Sequence, residues 1–143
     1  MSKIDFTHLH VHSQYSLLDG LCKDEDLAVA AKSYGMDALA LTDHGAMYGT
    51  IHFYNTMRSN GIKPIIGMEA YYTAGNRADK SREFKTNHLL LLAKNLTGYH
   101  NLLKLNSVAQ LEGFYYKPRI DWETLVKYHE GLIATSSCLA GEI

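Results

Sequence analysis

Cysteine and long apolar runs are scarce in this sequence. Only two cysteines, Cys22 and Cys138, occur in 143 residues, too few for the disulfide framework of a small secreted domain. No stretch approaches the roughly 18 consecutive apolar residues of a membrane span, and the first residues lack the apolar segment of a secretory signal. We therefore expect reduced thiols, a cytoplasmic location and no membrane partner.

A large excess of positive or of negative charge is also lacking. The net charge is −1 and the sequence pI is about 6.7, so bulk charge does not indicate a nucleic-acid partner. Such a partner would have to be held locally or by parts of the protein outside this sequence. No glycine-rich phosphate loop and no serine-nucleophile motif occurs. Hydrophobic residues make up 46% of the chain, which is enough for a globular core.

Strand and helix patterns alternate along the chain. Strands are predicted at 4–11, 37–42, 62–72, 88–93 and 131–136, and helices at 25–34, 47–59, 96–111 and 121–128. This alternation predicts an α/β fold with βαβ units and a parallel sheet. A (β/α) barrel normally needs about 200 residues or more. We therefore expect residues 1–143 to be one incomplete domain of a longer protein.

Three histidines near the start are the strongest candidates for chemistry. His8, His10 and His12 alternate with apolar residues, which would place their imidazoles on one face of an extended segment. A single strand histidine is usually a hydrogen-bonded structural residue. Three on one face repel one another when protonated and need partners. Because neutral imidazole is the commonest metal ligand, the pattern predicts a metal site.

Two further candidates lie in or just after apolar strands. Asp43 and His44 directly follow the strand predicted at 37–42, where parallel α/β folds keep their reactive groups. Glu69 lies inside the apolar strand at 62–72. A buried carboxylate must be paired or bound to a cation, so Glu69 is a candidate metal bridge. Gly67 would allow a close approach of backbone or ligand.

Three residues stay ambiguous on position alone. His88 opens its strand instead of ending it, which weakens its claim to the same rim. Cys138 by itself is more typical of a small buried apolar residue. Asp19 stands in an Asp-Gly turn signal. Each becomes a credible ligand only as part of a larger set.

The combined set of imidazole, carboxylate and thiolate groups suits zinc or manganese better than magnesium or calcium, which prefer oxygen ligands. Two or three such ions would activate water and hold both the attacking and the leaving oxygens. Phosphoester hydrolysis is the reaction that this arrangement serves best, and amide hydrolysis is also possible.

Several motifs resemble one known family. His-Leu-His-Val-His-Ser at 8–13, Thr-Asp-His-Gly at 42–45 and Gly-Met-Glu-Ala at 67–70 are similar to the PHP (polymerase and histidinol phosphatase) superfamily. The stretches at 15–20, 41–45, 63–69 and 113–119 are similar to the N-terminal PHP domains of bacterial DNA polymerase III alpha subunits. The match extends from about Phe6 to Ile143.

The resemblance implies a fold and a ligand set. The fold would be part of a distorted seven-stranded (β/α) barrel, roughly its first five β/α units, with two to three divalent ions. His10, His12 and Glu69 would hold one ion and form the catalytic group. The resemblance assigns the second ion to Glu69, His88 and Cys138, the third to Asp19 and His44, and supporting roles to His8 and Asp43. A further Asp-x-His motif would lie beyond Ile143.

The resemblance also implies an activity. The parent protein would be a replicative DNA polymerase, and this site a zinc- or manganese-dependent 3′–5′ exonuclease for proofreading. Expected partners are primer-template DNA, the sliding clamp and a proofreading subunit, with magnesium at a polymerase site elsewhere. Two alternatives stay open: a free-standing phosphatase of the histidinol-phosphate type, and a non-catalytic structural PHP domain.

A basic stretch offers candidate contacts to DNA phosphates. Its members are Arg77, Lys80, Arg82 and Lys85, together with Lys117 and Arg119. Acidic residues at positions 79 and 83 lie among the first four of these. That interruption favours a solvated loop over a DNA-binding surface.

Overall fold

A computed structural model describes residues 6–81 and 83–142. Its elements are, in chain order, α1 (Asp24–Ser33), β1 (Ala38–Leu41), α2 (Thr50–Ser59), β2 (Lys63–Thr73), β3 (Thr86–Ala93), α3 (Leu96–Leu111), β4 (Phe114–Tyr115), β5 (Lys117–Asp121), α4 (Trp122–Lys127) and β6 (Leu132–Thr135). Within the described ranges, every helix is too short or too polar to cross a membrane. The α/β class predicted from the sequence is confirmed.

Strand β2 is the centre of the sheet. Its first half pairs with β1 and its last residues with β5, both in parallel, and β3 pairs with it antiparallel. The strand order is β4-β5-β2-β3-β6. The expectation of a parallel sheet is wrong for β3. The described residues of segment 74–85, which connects β3 to β2, contain no helix, whereas the crossover to a parallel partner is usually helical. The short β4 and β5 were not predicted.

The strand predicted at 4–11 is also wrong as far as the structure describes it; residues 4 and 5 lie outside the described residues. Two backbone bonds tie the segment to β1. Ala40 N–H donates to His8 O at 3.0 Å and Thr42 N–H donates to Val11 O at 2.8 Å. The donors are two residues apart and the acceptors three, so the segment carries one extra residue, as at a bulge.

Alternation along β2 separates the core from the site. Met68, Ala70 and Tyr72 pack in one apolar cluster with residues of α3, including Leu102 and Leu105. Glu69 and Tyr71 therefore point to the opposite face. A second cluster packs α1 and α2 against β1, with Ala28, Leu41, Phe53 and Met57 among its members.

Helix ends follow the local sequence, with one exception. Asp121 caps α4 through a bond from Thr124 N–H at 3.1 Å, as its sequence predicts. Gly35, with φ +71°, follows the last turn of α1, where glycine commonly ends a helix. Asp24 is not the N-cap of α1, because Lys23 holds that position. Asp24 is instead fully buried and accepts a bond from His52 Nδ1 at 2.7 Å.

Candidate metal centre

Several loops and strands deliver the candidate ligands to one end of the sheet. Glu69 lies in β2, and His44 follows β1 and bridges to Glu69 in the parallel direction. His10 and His12 come from the segment beside β1. His88 is the third residue of β3, and because β3 runs antiparallel to β2, its first residues lie at the same end as the carboxyl ends of β1 and β2. The reversed strand thus resolves the ambiguity of His88.

The Glu69 carboxylate is the meeting point of four imidazoles. Its Oε2 lies 3.0 Å from His10 Nε2, 2.7 Å from His12 Nε2 and 3.1 Å from His44 Nδ1. Its Oε1 lies 2.9 Å from His88 Nδ1. The Glu69 side chain is only 1% exposed, so these rings surround a carboxylate that water hardly reaches.

Asp19 forms a second meeting point at the solvent side of the site. Its Oδ2 lies 2.9 Å from His12 Nδ1 and 2.9 Å from His44 Nε2. Each of these two rings therefore places one nitrogen at Asp19 and the other at Glu69. The same two contacts, first with His12 and then with His44, lower the pKa of the Asp19 carboxyl.

Cys138 lies at the edge of this set. Its Sγ is 3.4 Å from His88 Nδ1, and the residue is exposed. The neighbouring Ser137 donates its hydroxyl to Glu69 Oε1. Spacing in the sequence gave no sign of the role of Ser137, because its partner is 68 residues away.

The geometry suits cations better than hydrogen bonds. His12 Nε2, His44 Nδ1 and Glu69 Oε2 are buried and have no well-formed hydrogen bond among the described residues. Buried polar atoms without partners are costly, and an ion among them would satisfy all three. Three groups of residues could each hold an ion, because within each group the ligand atoms lie within 4.8 Å of one another. The groups are His10, His12 and Glu69; His12, Asp19 and His44; and His44, Glu69 and His88.

The protonation states favour an ionised bridge. Burial raises the pKa of the Glu69 carboxyl, but its close polar contacts with His12, Ser137 and His10 outweigh burial and hold that pKa well below its usual range. The contact with Glu69 raises the pKa of His12. Burial, followed by the charge of His12, lowers the pKa of His44. The lowered carboxyl pKa favours the ionised form of Glu69 at the centre of the site.

Asp43 organises the loop that carries Asp19. It is 1% exposed and accepts bonds from Ser13 N–H at 2.7 Å, Ser13 Oγ at 2.9 Å and Ser16 Oγ at 2.7 Å. Ser16 Oγ also accepts a bond from His44 N–H at 3.1 Å. The supporting role of Asp43 in metal binding stays a prediction. Both serines belong to the recognised motifs, but no role was predicted for either.

His8 is separated from the other two histidines. The extra residue between His8 and Val11 breaks the alternation that would place all three rings on one face. His8 is exposed, and its ring packs against Phe6 with centroids 5.0 Å apart. Three equivalent ligands, as the spacing alone suggested, are therefore not what the structure contains. The supporting role of His8 stays a prediction.

Arg119 does not fit the role of a DNA contact. It is 4% exposed, and its guanidinium donates to the backbone oxygens of Gly113, Arg77 and Asp79 at 3.1, 2.7 and 2.6 Å. These bonds pin the loop that follows β2 to the hairpin of β4 and β5. Because the Arg119 guanidinium is buried and already donates to three backbone oxygens, it is poorly placed to bind a DNA phosphate.

The other basic candidates differ in placement. Lys85 is exposed, Lys117 Nζ lies 5.1 Å from the centre of the Tyr71 ring, and Arg82 lies outside the described residues. The Tyr71 ring in turn stacks on His44, with centroids 5.8 Å apart. Lys117 is therefore the basic candidate that the structure places beside the metal centre.

Comparison with known proteins identifies the family. The PHP domain family matches residues 8–143, and the chain belongs to that family. It is 51% identical to the DNA polymerase III subunit alpha of Aquifex aeolicus, over 99% of this chain and 13% of that protein. It is 52% identical to the same subunit of Treponema pallidum, over 100% of this chain and 12% of that protein. The chain thus spans about an eighth of these relatives' length.

Two solved structures share the fold. One, named as a metal-dependent phosphoesterase from Bifidobacterium adolescentis, has a TM-score of 0.53 and 17% identity, covering 76% of this chain and 34% of that one. The other, an amidohydrolase from Chromobacterium violaceum, has a TM-score of 0.51 and 22% identity, covering 73% of this chain and 32% of that one. The predicted PHP-type fold and the family resemblance are confirmed.

Proposed function

We propose that this chain is the N-terminal PHP domain of a bacterial replicative DNA polymerase alpha subunit. The support is sequence identity of 51% and 52% to relatives that carry that name, over nearly the whole chain. On this proposal, the partners are primer-template DNA, the sliding clamp and a proofreading subunit. A magnesium-dependent polymerase site would lie in other domains of the protein. The protein would be located in the cytoplasm.

The second part of the proposal is a resident metal centre. The observation that carries it is the contact of three imidazole nitrogens with one buried oxygen, Glu69 Oε2, at 2.7–3.1 Å without well-formed hydrogen bonds. Imidazole and carboxylate ligands suit zinc or manganese. Two to three ions would be held by His10, His12, Asp19, His44, Glu69, His88 and Cys138.

The reaction proposed is hydrolysis of the last phosphodiester at a DNA 3′ end. Bound divalent ions would supply activated water and stabilise charge on the phosphate. Within the chain, Glu69 stays ionised and fixes His10 and His12 in place, which makes these three the catalytic group. Asp43 holds the loop of Asp19, and Lys117 stands beside the site where a DNA phosphate would pass.

The test uses the longest polypeptide that contains this chain. Purified protein is assayed for release of nucleotides from a mismatched 3′ end with manganese or zinc, and its bound metal is measured by mass spectrometry. We expect release by the unmodified protein and none by the double variant His10→Ala, His12→Ala. His100→Ala, which changes an exposed histidine of α3, should retain full release.

Each outcome separates the alternatives. Metal content without nucleotide release, but with phosphate release from a small monoester, would favour a phosphatase of the histidinol-phosphate type. Neither metal nor release would favour a structural domain. Equal release by the double variant would show that a contaminating nuclease, and not this site, is responsible.

A further inference from the structure

A small pocket lies beside the metal centre, and of its lining residues only Lys117 has a place in the reaction described above. Its volume is about 270 Å³, and it opens between the loop before β3 and the hairpin of β4 and β5. It is lined mainly by aromatic rings, hydroxyl groups and one lysine, from Ser81, Phe84, Thr86, Tyr115, Tyr116 and Lys117. Sites for small molecules usually enclose about 300–1,000 Å³, so this pocket suits a group the size of one base.

The pocket is close to the proposed reaction site. Thr86 and His88 are two residues apart on β3, so both side chains lie on the same face, about 7 Å apart along the strand. On the other side, Lys117 Nζ lies over the Tyr71 ring, which stacks on His44. A group in the pocket and a phosphate at the metal centre could therefore belong to one nucleotide.

The aromatic rings of the pocket are held in place. The rings of Tyr115 and Tyr116 meet at 4.6 Å between centroids, and the Arg119 guanidinium lies 5.4 Å from the centre of the Tyr115 ring. Phe84 packs directly on Gly75, where any side chain would collide with the ring. Rigid aromatic surfaces of this kind are what single-stranded nucleic acids stack on.

Tyr116 adopts a backbone conformation that favours glycine. Its φ is +59°, and it stands between Tyr115 and Lys117, which pair with each other in the hairpin. A bulky residue is an outlier in this region. Its side chain is nevertheless 68% exposed, so burial of the ring does not explain the tyrosine. Strain of this kind clusters at sites that bind ligands.

We propose that this pocket binds the unpaired terminal base of a DNA 3′ end, stacked on Tyr116, while Lys117 contacts the adjacent phosphate. Hydroxyl groups of Ser81 and Thr86 would face the base edge. This inference rests on the proposed exonuclease function and names how the site chooses its substrate. A mispaired base costs least to unstack and unpair, so the pocket would favour mismatched ends.

The test combines a change in the protein, at Tyr116, with a change in the DNA, at its 3′-terminal base. It uses the longest polypeptide that contains this chain. The probes are single-stranded oligonucleotides ending either in 2-aminopurine or in an abasic 3′ residue, with chelator present to prevent hydrolysis. We expect Tyr116→Ala to weaken binding of the 2-aminopurine end about tenfold and to leave the abasic end unchanged. Tyr116→Phe should retain binding. Tyr34→Ala removes an exposed tyrosine of similar accessibility far along the chain and should have no effect.

A second variant guards against an effect through the backbone. Phe84→Ala leaves the hairpin intact and should also weaken only the 2-aminopurine end. Equal losses for both oligonucleotides, or no loss for either, would overturn the proposal, with thermal melting confirming that each variant is folded. If Tyr116→Ala weakens binding of the 2-aminopurine end but the unmodified protein releases no nucleotides, the base pocket is supported and the exonuclease function is contradicted. If the protein releases nucleotides but Tyr116→Ala does not weaken binding of that end, the exonuclease function is supported and the base pocket is contradicted.

Discussion

Tyr71 and His88 stand opposite each other in the antiparallel pair of β2 and β3, and their rings meet edge to face with centroids 5.2 Å apart. This pairing fixes His88 beside Glu69 although His88 lies near the start of its strand. Tyr71 also stacks on His44 and carries Lys117 over its ring. The buried Tyr71 thus contacts two candidate ligands, His44 and His88, and also Lys117 of the hairpin of β4 and β5.

Replacing Glu69 by glutamine should empty the metal centre. The amide keeps the size of the side chain but loses the charge that holds His10, His12 and His44. We expect bound manganese or zinc to fall below one ion per chain, measured by mass spectrometry after dialysis. Added metal should raise the melting temperature of the unmodified protein and not that of the variant. Glu83→Gln changes an exposed carboxylate and should behave as the unmodified protein; full metal content in Glu69→Gln would contradict the assignment.

Replacing Asp43 by asparagine should weaken metal binding without removing a ligand. The amide nitrogen would face the N–H and hydroxyl donors of Ser13 and Ser16, leaving at least one donor without an acceptor. Loss of a residue that orients ligands typically costs 10–100-fold in metal affinity. Isothermal titration with manganese measures the change. Asp26→Asn, on the exposed face of α1, is the matched control, and equal affinities for the two variants would contradict a positioning role.

The charge of Asp121 should make stability depend on acid pH. Burial raises the pKa of its carboxyl, but hydrogen bonds from Arg77 and Thr124 outweigh burial and lower it. An unfolded aspartate titrates near pH 3.9, so on acidification the unfolded state takes up the proton first. The stabilisation is complete above that unfolded value and is lost as pH falls through the folded one.

Asp121→Asn tests this dependence, because asparagine still caps α4 but carries no charge for Arg77. Urea unfolding from pH 7 to pH 3 should show a smaller loss of stability on acidification in the variant than in the unmodified protein. Glu69 and Asp19 also have lowered pKa values and contribute equally to both proteins. Parallel curves for the two proteins would show that Asp121 has no part in the acid response.

Truncating a core residue of α3 should destabilise the fold. Leu105 is fully buried, and Leu105→Ala should lower the free energy of unfolding by about 2–5 kcal/mol, through lost apolar contact and the cavity left behind. Leu111 ends the same helix and is 85% exposed, so Leu111→Ala should change it by less than about 0.5 kcal/mol. Urea denaturation measures both, and similar losses would contradict the packing of α3 on the sheet.

Much of the site was predictable because its residues carry local signals. Glu69 stands out as a charge in an apolar strand, and His44 as a histidine directly after one. The equivalence suggested by the spacing of His8, His10 and His12 failed, because one extra residue beside β1 is not visible in a pattern of alternation. The place of His88 depends on strand direction, which apolar runs do not encode.

Other features depend on contacts between distant segments. The hydroxyl of Ser137 reaches Glu69 only after β6 has paired with β3, and nothing near Ser137 in the sequence signals a carboxylate. Gly67 was expected to permit a close approach. The approaching groups are the backbone of Leu91 and the side chains of Thr42 and Leu92. Pairing of this kind follows from the assembled sheet and not from any local pattern.

The convergence of remote segments on Glu69 also bears on how the protein folds. His10 precedes Glu69 by 59 positions, and Ser137 follows it by 68. Contacts between residues so far apart close large loops and form slowly. No early folding intermediate built from neighbouring segments can contain the complete site. Capture of manganese during refolding would therefore time the last step of chain assembly.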